Sequence, residues 1–202
     1  ARDYDAAIEC DPTNAAAFRD RGSLRAWLGE YDAAIADLDE AIRLEPENFE
    51  AHYNRGCCRD RKGEYARATA DFTEAVRLNP RFANAFGSRG VAWVNLGEFA
   101  KGIADYTEAL RLNPKDARMY YNRADAWYRT GDTDKALADL DEAIRLDPKK
   151  VLAYILRSTC RERKGLLAEA LKDAEEAVRI SPQDPRGHCQ LGFVNSATEN
   201  YD

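Results

Sequence analysis

The sequence predicts an all-α protein, an α-solenoid of antiparallel helix pairs, because three residue types recur in register at a spacing of 34 residues. A fixed period of this length is typical of stacked helical repeats. The series run along the whole chain: Pro12, Pro46, Pro80, Pro114, Pro148 and Pro182; Gly29, Gly63, Gly97, Gly131 and Gly165; Ala7, Ala41, Ala75, Ala109, Ala143 and Ala177.

Each repeat predicts two helices separated by a glycine turn. In the repeat 117–150, helix A covers about 118–130 and ends before Gly131, and helix B covers about 134–147 and ends at Pro148. Glycine supplies the left-handed backbone that commonly ends a helix. Proline cannot continue a helix and drives the residue before it out of the helical region.

Apolar residues recur at helical spacing in both helices. In the repeat 117–150 they are Tyr120, Ala124 and Trp127 in helix A, and Ala136, Leu140, Ala143 and Ile144 in helix B. One hairpin cannot bury its own apolar face, so its stability must come from packing against the next hairpin.

The 34-residue period divides the 202 residues into five full repeats and two half repeats of a single solenoid domain, 1–202. Repeats 1 to 5 are 15–48, 49–82, 83–116, 117–150 and 151–184. Residues 1–14 form a helix B half repeat and residues 185–202 a helix A half repeat. The chain begins without Met, so we interpret it as a piece of a longer protein, and the lack of a signal peptide is uninformative.

The repeat resembles the tetratricopeptide repeat family, and repeat 3 carries the pattern as Phe86, Gly90, Trp93, Gly102, Tyr106, Ala109 and Pro114. The resemblance covers the whole chain and implies a right-handed superhelix of antiparallel helix pairs. It also implies that helices A line a concave groove in which such proteins bind peptides or partner segments. One departure recurs, since the leucine expected at repeat position 7 is arginine in every full repeat.

Every arginine at position 7 is matched by an aspartate at position 23. The pairs are Arg21/Asp37, Arg55/Asp71, Arg89/Asp105, Arg123/Asp139 and Arg157/Asp173. An unpaired guanidinium buried between helices would be costly. We therefore expect a ladder of Arg–Asp pairs, either within a repeat or to the preceding repeat, in which case Asp3 would pair with Arg21. A second series, Glu40/Arg43 and its equivalents, has the i,i+3 spacing of exposed pairs on helix B.

Composition argues against several classes of function. The net charge of −6 disfavours nucleic-acid binding, and no apolar run reaches membrane-spanning length. The five cysteines show no metal-ligand spacing and predict free thiols in a reducing, cytoplasmic compartment; a Cys57–Cys58 redox pair or a stray disulfide are the alternatives. His52 and His188 both fall at packing position 4. With no nucleophile elbow, phosphate loop or paired-carboxylate motif, we expect no enzyme, catalytic residue, cofactor or metal site.

The groove positions implied by the resemblance are 2, 5, 6, 9, 12 and 13 of each repeat, and their formal charges sum to about +1. Tyr121, Tyr128, Leu152, Ile155, Leu156 and Phe193 are expected to form an exposed apolar patch flanked by Arg118 and Arg129. Asn54 and Asn122 lie at position 6, where some family members hold a peptide backbone. The candidate peptide-binding residues are these ten together with Arg61 and Asn84. The alternative is that the patch covers a missing terminal segment.

The family's clamp for chaperone C-terminal carboxylates is not expected, since three of its five positions differ here. The leading prediction is a non-enzymatic scaffold that binds a protein or peptide. The alternatives are a regulatory or docking arm of a larger enzyme, such as a kinase or glycosyltransferase, and a structural or self-assembling spacer. A half repeat at each end favours head-to-tail stacking as one form of self-assembly, with monomer the expected state in dilute solution.

Overall fold

A computed structural model of the chain describes residues 2–199, and within that range it contains helices and no strand. Residue 1 and residues 200–202, which belong to the two predicted half repeats, lie outside the described residues. The helices are α1 (Arg2–Cys10), α2 (Ala15–Trp27), α3 (Tyr31–Leu44), α4 (Phe49–Arg61), α5 (Tyr65–Leu78), α6 (Ala83–Asn95), α7 (Phe99–Leu112), α8 (Ala117–Thr130), α9 (Thr133–Leu146), α10 (Val151–Arg163), α11 (Leu167–Ile180) and α12 (Pro185–Glu199). The predicted all-α class is confirmed, with even-numbered helices as helix A and odd-numbered helices as helix B.

The helices form two compact units. The first runs to Leu112 and holds α1 to α7, and the second starts at Asn113 and holds α8 to α12. Inside each unit, every helix A packs against its own helix B, and every helix B packs against the next helix A. That a single solenoid domain spans 1–202 stays a prediction.

Glycine and proline end the helices where the sequence predicts. Every helix A of the full repeats is followed by a glycine with positive φ, between 75° at Gly165 and 89° at Gly131. Each of these glycines has open space where a Cβ would be, so the backbone conformation explains the residue. The residues before Pro46 and Pro148 are extended, with ψ of 84° and 87°, as expected before proline.

Small residues at position 8 let helix A approach its own helix B. A Cβ added to Gly56 would lie 2.7 Å from Cε1 of Phe72, and one added to Gly90 would lie 2.7 Å from Cε1 of Tyr106. Both rings are almost completely buried. In repeat 5, where position 8 is Ser158, the buried hydroxyl donates a 2.8 Å hydrogen bond to a backbone oxygen of α11. Position 8 therefore sets how large the facing side chain can be.

The predicted Arg–Asp ladder is present, and its main contact lies within each repeat. Arg21 donates from Nε and Nη2 to both carboxylate oxygens of Asp37, at 3.0 and 2.7 Å, and the Asp37 side chain is 5% exposed. The other four repeats have the equivalent contact. The pairing of Arg21 with Asp3 is wrong, because Nη1 of Arg21 reaches Asp5 instead, at 2.7 Å. Asp3 is exposed.

Position 11, where repeat 4 has the apolar Trp127, extends this ladder in a way that we did not predict. In repeats 1, 2 and 5 it is arginine and gives the buried aspartate a second cation, as in Arg59 Nη1 to Asp71 Oδ2 at 2.8 Å. In repeats 3 and 4 it is tryptophan, and a lysine of helix B lies over the ring, as in Lys101 over Trp93 at 4.5 Å. The Glu–Arg pairs at i,i+3 are formed on helix B, as predicted.

Candidate functional site

The described residues contain no group of three or more His, Cys, Asp or Glu side chains placed to hold a metal ion. None of the described helices combines the length and apolarity needed to cross a lipid bilayer. His52 is buried and contacts the Pro46 carbonyl oxygen at 2.9 Å, as a packing residue does. His188 makes the same contact to Pro182 but is exposed, so its assignment to packing is wrong. No described helix follows α12 in the chain, and His188 is therefore not covered from that side.

The cysteines are free thiols in this structure, as predicted. Burial raises the pKa of Cys57 to about 12 and the pKa of Cys58 to about 11. Both thiols are therefore protonated at neutral pH and poor nucleophiles, which argues against a Cys57–Cys58 redox pair.

The helices α8, α10 and α12 together carry nine of the twelve candidate residues, on what we call the A-helix face of the second unit. The apolar patch is less exposed than we expected, because its six residues differ in exposure. Phe193 is 67% exposed, but the other five apolar candidates are half-buried. Tyr121, Tyr128 and Leu156 pack against the buried cluster that contains Ala124 and Cys160, so part of each side chain serves the core.

Two tyrosine rings on this face are covered by cations. Arg163 lies over the ring of Tyr128, with Cζ 4.2 Å from the ring centroid, and Lys150 lies over the ring of Tyr121 at 5.1 Å. Such contacts orient long basic side chains along the apolar surface and hold the charged heads next to it. The result is an apolar strip with basic edges.

Charge near Tyr121 is mixed. Burial is the main cause that raises its pKa, and Asp125 adds to this, while Arg186 and Arg129 act in the opposite direction. Arg129 itself pairs with Asp125 at 2.8 Å, and Arg118 approaches Asp116 at 3.7 Å. Arg118 and Arg129 are exposed, as the predicted flanking positions require.

A buried polar network attaches α12 to α10. The Gln190 amide donates to Ser158 Oγ and to Glu162 Oε2, both at 3.1 Å, and accepts from Thr159 Oγ1 at 3.2 Å. Gln190 is 8% exposed, so these bonds satisfy an amide that burial would otherwise destabilise. Phe193 follows one turn later and is held at the surface.

The three candidates in the first unit, Asn54, Asn84 and Arg61, have separate environments in the structure. Asn54 is half-buried and donates from Nδ2 to Ser23 Oγ at 2.9 Å, so part of its amide is already used between α2 and α4. Asn84 is exposed, and so is Arg61. In the second unit, Asn122 is half-buried.

A cavity that we did not predict lies beside Arg61. We call it the Trp27 pocket; it has a volume of about 420 Å³ and is lined by Ala26, Trp27, Tyr31, Cys57, Cys58 and Arg61. Trp27 is 82% exposed. The feature of the sequence that could have revealed the pocket is the alanine at position 12 of repeat 1, where repeat 4 has Tyr128.

One buried oxygen in the first unit has no partner. Oδ1 of Asp60 is shielded from solvent and accepts no hydrogen bond from the described residues. Burial raises the pKa of this carboxyl, and the nearby Arg61 lowers it by a smaller amount.

Comparison with known proteins identifies the repeat. Tetratricopeptide repeat models match residues 49–82, 89–151 and 128–185, and a TPR repeat model matches residues 25–57. No sequence among curated proteins matches the chain.

Among solved structures, the chain is similar to YrrB, described as a TPR protein with an unusual peptide-binding site. The identity is 22%, the alignment covers 91% of this chain and 95% of YrrB, and the TM-score is 0.79. It is also similar to MamA of Desulfovibrio magneticus RS-1, with 22% identity, coverage of 84% and 97%, and a TM-score of 0.79. Yeast Tom70 matches with 22% identity over 98% of this chain and 42% of its own, at a TM-score of 0.72. These structures share the α-solenoid fold, and the chain belongs to the tetratricopeptide repeat family.

Proposed function

We propose that the chain is a non-enzymatic scaffold that binds a peptide or a segment of a partner protein on the A-helix face of its second unit. The observation that carries the proposal is Phe193, which presents 67% of its surface to solvent on a helix fixed to α10 by a buried polar network. A large exposed aromatic on a rigid element is a typical anchor for a partner. Repeat proteins of this family are generally non-enzymatic scaffolds, and YrrB is described as peptide-binding.

The partner segment should combine apolar and acidic residues. The groove positions of this face carry four arginines, Arg118, Arg129, Arg163 and Arg186, against two carboxylates, Asp125 and Glu162. Arg129 and Arg118 are exposed, so their pairs with the half-buried Asp125 and Asp116 are weak, and a carboxylate of the partner can replace either aspartate. Apolar side chains of the partner would cover Phe193 and the half-buried Leu156.

A peptide-display screen on the chain tests this proposal. Enriched peptides should carry aliphatic or aromatic residues next to Asp or Glu, and one of them is synthesised for affinity measurement by fluorescence anisotropy. Phe193→Ser should weaken binding about tenfold or more, as expected for an interface anchor. The matched control is Leu166→Ser, an exposed leucine in the turn between α10 and α11, which should leave the affinity unchanged.

Two half-buried positions extend the test. Tyr128→Ala and Leu156→Asp should also weaken binding, provided that the thermal melt shows a folded protein. If no peptide is enriched, or if Phe193→Ser and Leu166→Ser behave alike, this face is not the binding site. The chain would then fit a structural spacer or a docking arm that uses another surface.

A further inference from the structure

The Trp27 pocket in the first unit has a counterpart in the second unit that is already filled. Ala26, Cys58 and Arg61 line the pocket at position 12 of repeat 1 and positions 10 and 13 of repeat 2. The same positions in repeats 4 and 5 are Tyr128, Cys160 and Arg163. The chain thus contains two versions of one site. At position 12 the second site carries the larger side chain, and Arg129, Thr133 and Thr159 stand where the first has Trp27, Tyr31 and Cys57.

In the second unit, the aromatic ring at position 12 occupies the site. The Tyr128 ring packs against the buried cluster that contains Cys160, and the guanidinium of Arg163 covers it at 4.2 Å from the centroid. Arg163 Nη1 also donates to the backbone oxygen of Tyr128, at 3.4 Å. The backbone of this repeat type therefore accommodates a phenol ring between a buried apolar cluster and a cation.

In the first unit, the corresponding side chain ends at Cβ of Ala26, and a cavity of about 420 Å³ lies beside it. Arg61 is exposed, and within the described residues its guanidinium neither forms an ion pair nor lies over an aromatic ring. Trp27 adds an exposed indole at the rim, and the half-buried Tyr31 adds a second aromatic wall. The two thiols of the lining are neutral because burial raises the pKa of each.

We propose that the Trp27 pocket binds an aromatic side chain of a partner protein, whose ring takes the place that Tyr128 takes in the second unit. Arg61 covers the face of the incoming ring, as Arg163 covers Tyr128, and Trp27 and Tyr31 contact its edge. Cation–π contact and burial of aromatic surface are both favourable, and aromatic side chains are enriched at the centres of protein interfaces. The pocket shares no residue with the A-helix face of the second unit, so the two binding proposals can be tested and rejected independently.

The chain offers its own test variant. Ala26→Tyr copies the side chain of repeat 4 into the pocket, and Tyr128→Ala empties the site in the second unit. The probe is p-cresol, the side chain of tyrosine, with its saturated ring analogue as a control. Binding is followed in proton–nitrogen NMR spectra through the Trp27 indole and the amides of Ala26 and Arg61. For a ligand of this size we expect a Kd on the order of 1–10 mM.

The expected result is saturable p-cresol shifts at Trp27 and Arg61 in the wild type and no such shifts in Ala26→Tyr. In Tyr128→Ala, new shifts should appear at Cys160 and Arg163. Arg61→Gln, which removes the charge and replaces the guanidinium by a shorter, neutral amide, should weaken binding about two- to fivefold, the size of an exposed cation–π contact. The saturated analogue should bind more weakly.

The proposal fails if p-cresol causes no saturable shift at Trp27, or if Ala26→Tyr responds like the wild type while it melts at an unchanged temperature. If Ala26→Tyr does not fold, the position does not accommodate the ring, and that outcome also contradicts the proposal. Equal binding by wild type and Arg61→Gln would refute the role of the cation. The same variants in a peptide-display screen extend the test to protein partners. A second group of aromatic-bearing peptides should lose affinity with Ala26→Tyr and keep it with Phe193→Ser, whereas peptides that bind the A-helix face of the second unit should show the reverse.

Discussion

Removal of one buried carboxylate from the Arg–Asp ladder should destabilise the first unit far more than removal of an exposed one. Asp105 is 6% exposed and binds both Nε and Nη2 of Arg89, each at 2.7 Å. Asp105→Ala leaves that guanidinium, whose side chain is 17% exposed, without its main carboxylate. Breaking a buried ion pair from one side typically costs 3–5 kcal/mol. Because Arg89 keeps some access to water, we expect the lower end, about 3 kcal/mol.

The repeats provide a graded comparison. Asp71 binds Arg55 and also Arg59, whereas repeat 3 has Trp93 in the place of Arg59. Asp71→Ala therefore leaves two guanidiniums without their carboxylate, and the free energy of unfolding should fall by nearer to about 5 kcal/mol. The exposed control is Glu108→Ala, which removes an i,i+3 pair with Arg111 and should cost about 0.2–0.5 kcal/mol.

Urea unfolding and thermal melts, both followed by far-UV circular dichroism, measure these differences. For a chain of this size, about 3 kcal/mol corresponds to a melting temperature lower by roughly 6–12 °C. The double variant Arg89→Met/Asp105→Leu should recover most of the loss, because it leaves no buried charge unpaired. If Asp105→Ala costs no more than Glu108→Ala, the ladder does not stabilise the fold and the reasoning is refuted.

Three further predictions concern other parts of the chain. Burial raises the pKa of Asp60 in the folded state, so the folded protein loses stability as the pH rises from the ordinary pKa of the carboxyl through the raised one. At neutral pH, Asp60→Asn should therefore be more stable than the wild type by about 1 kcal/mol. The difference between their urea midpoints should vanish in acid, where Asp60 is protonated in both states. Gly90→Ala should lower stability by about 1–3 kcal/mol because its Cβ meets the buried Tyr106 ring, whereas Gly192→Ala, in open space on α12, should raise it by about 0.5–1 kcal/mol in the same melts. Under native conditions the exposed Cys10 should react quickly with a thiol reagent and the buried Cys160, whose pKa burial raises to about 11, slowly; equal rates would contradict the burial.

The helix boundaries and the ladder could be predicted from sequence because each depends on short, repeated spacing. Gly131 and Pro148 mark helix ends through their own backbone restrictions, which do not require a neighbour. The pairing of positions 7 and 23 was visible because both residue types recur in every full repeat. The partner of the third guanidinium nitrogen, Nη1, could not be predicted, because the choice of Asp5 over Asp3 depends on how one hairpin packs on the next.

The candidate site was harder to predict because exposure depends on contacts between repeats. Tyr121 and Leu156 occupy groove positions, yet both give part of their surface to the core, and this fraction follows from the size of the neighbouring side chains. The Trp27 pocket was missed for the same reason. An alanine in place of a tyrosine is ordinary variation in a sequence, and it becomes a cavity only when position 12 is known to face positions 10 and 13 of the next helix A.

The three guanidinium nitrogens of each ladder arginine bind different partners, and this affects how the chain can gain or lose whole repeats. Nε and Nη2 hold a carboxylate of the same hairpin that is nearly sealed from water, whereas Nη1 reaches the previous hairpin, where Asp5, Asp39 and Asp141 have side chains 47%, 52% and 61% exposed. A gene duplication or deletion of whole hairpins would therefore cut bonds that water can replace and leave the sealed ones intact. Duplication of whole hairpins therefore costs little free energy in the ion pairs of the ladder, and variation can accumulate on the faces that recognise partners.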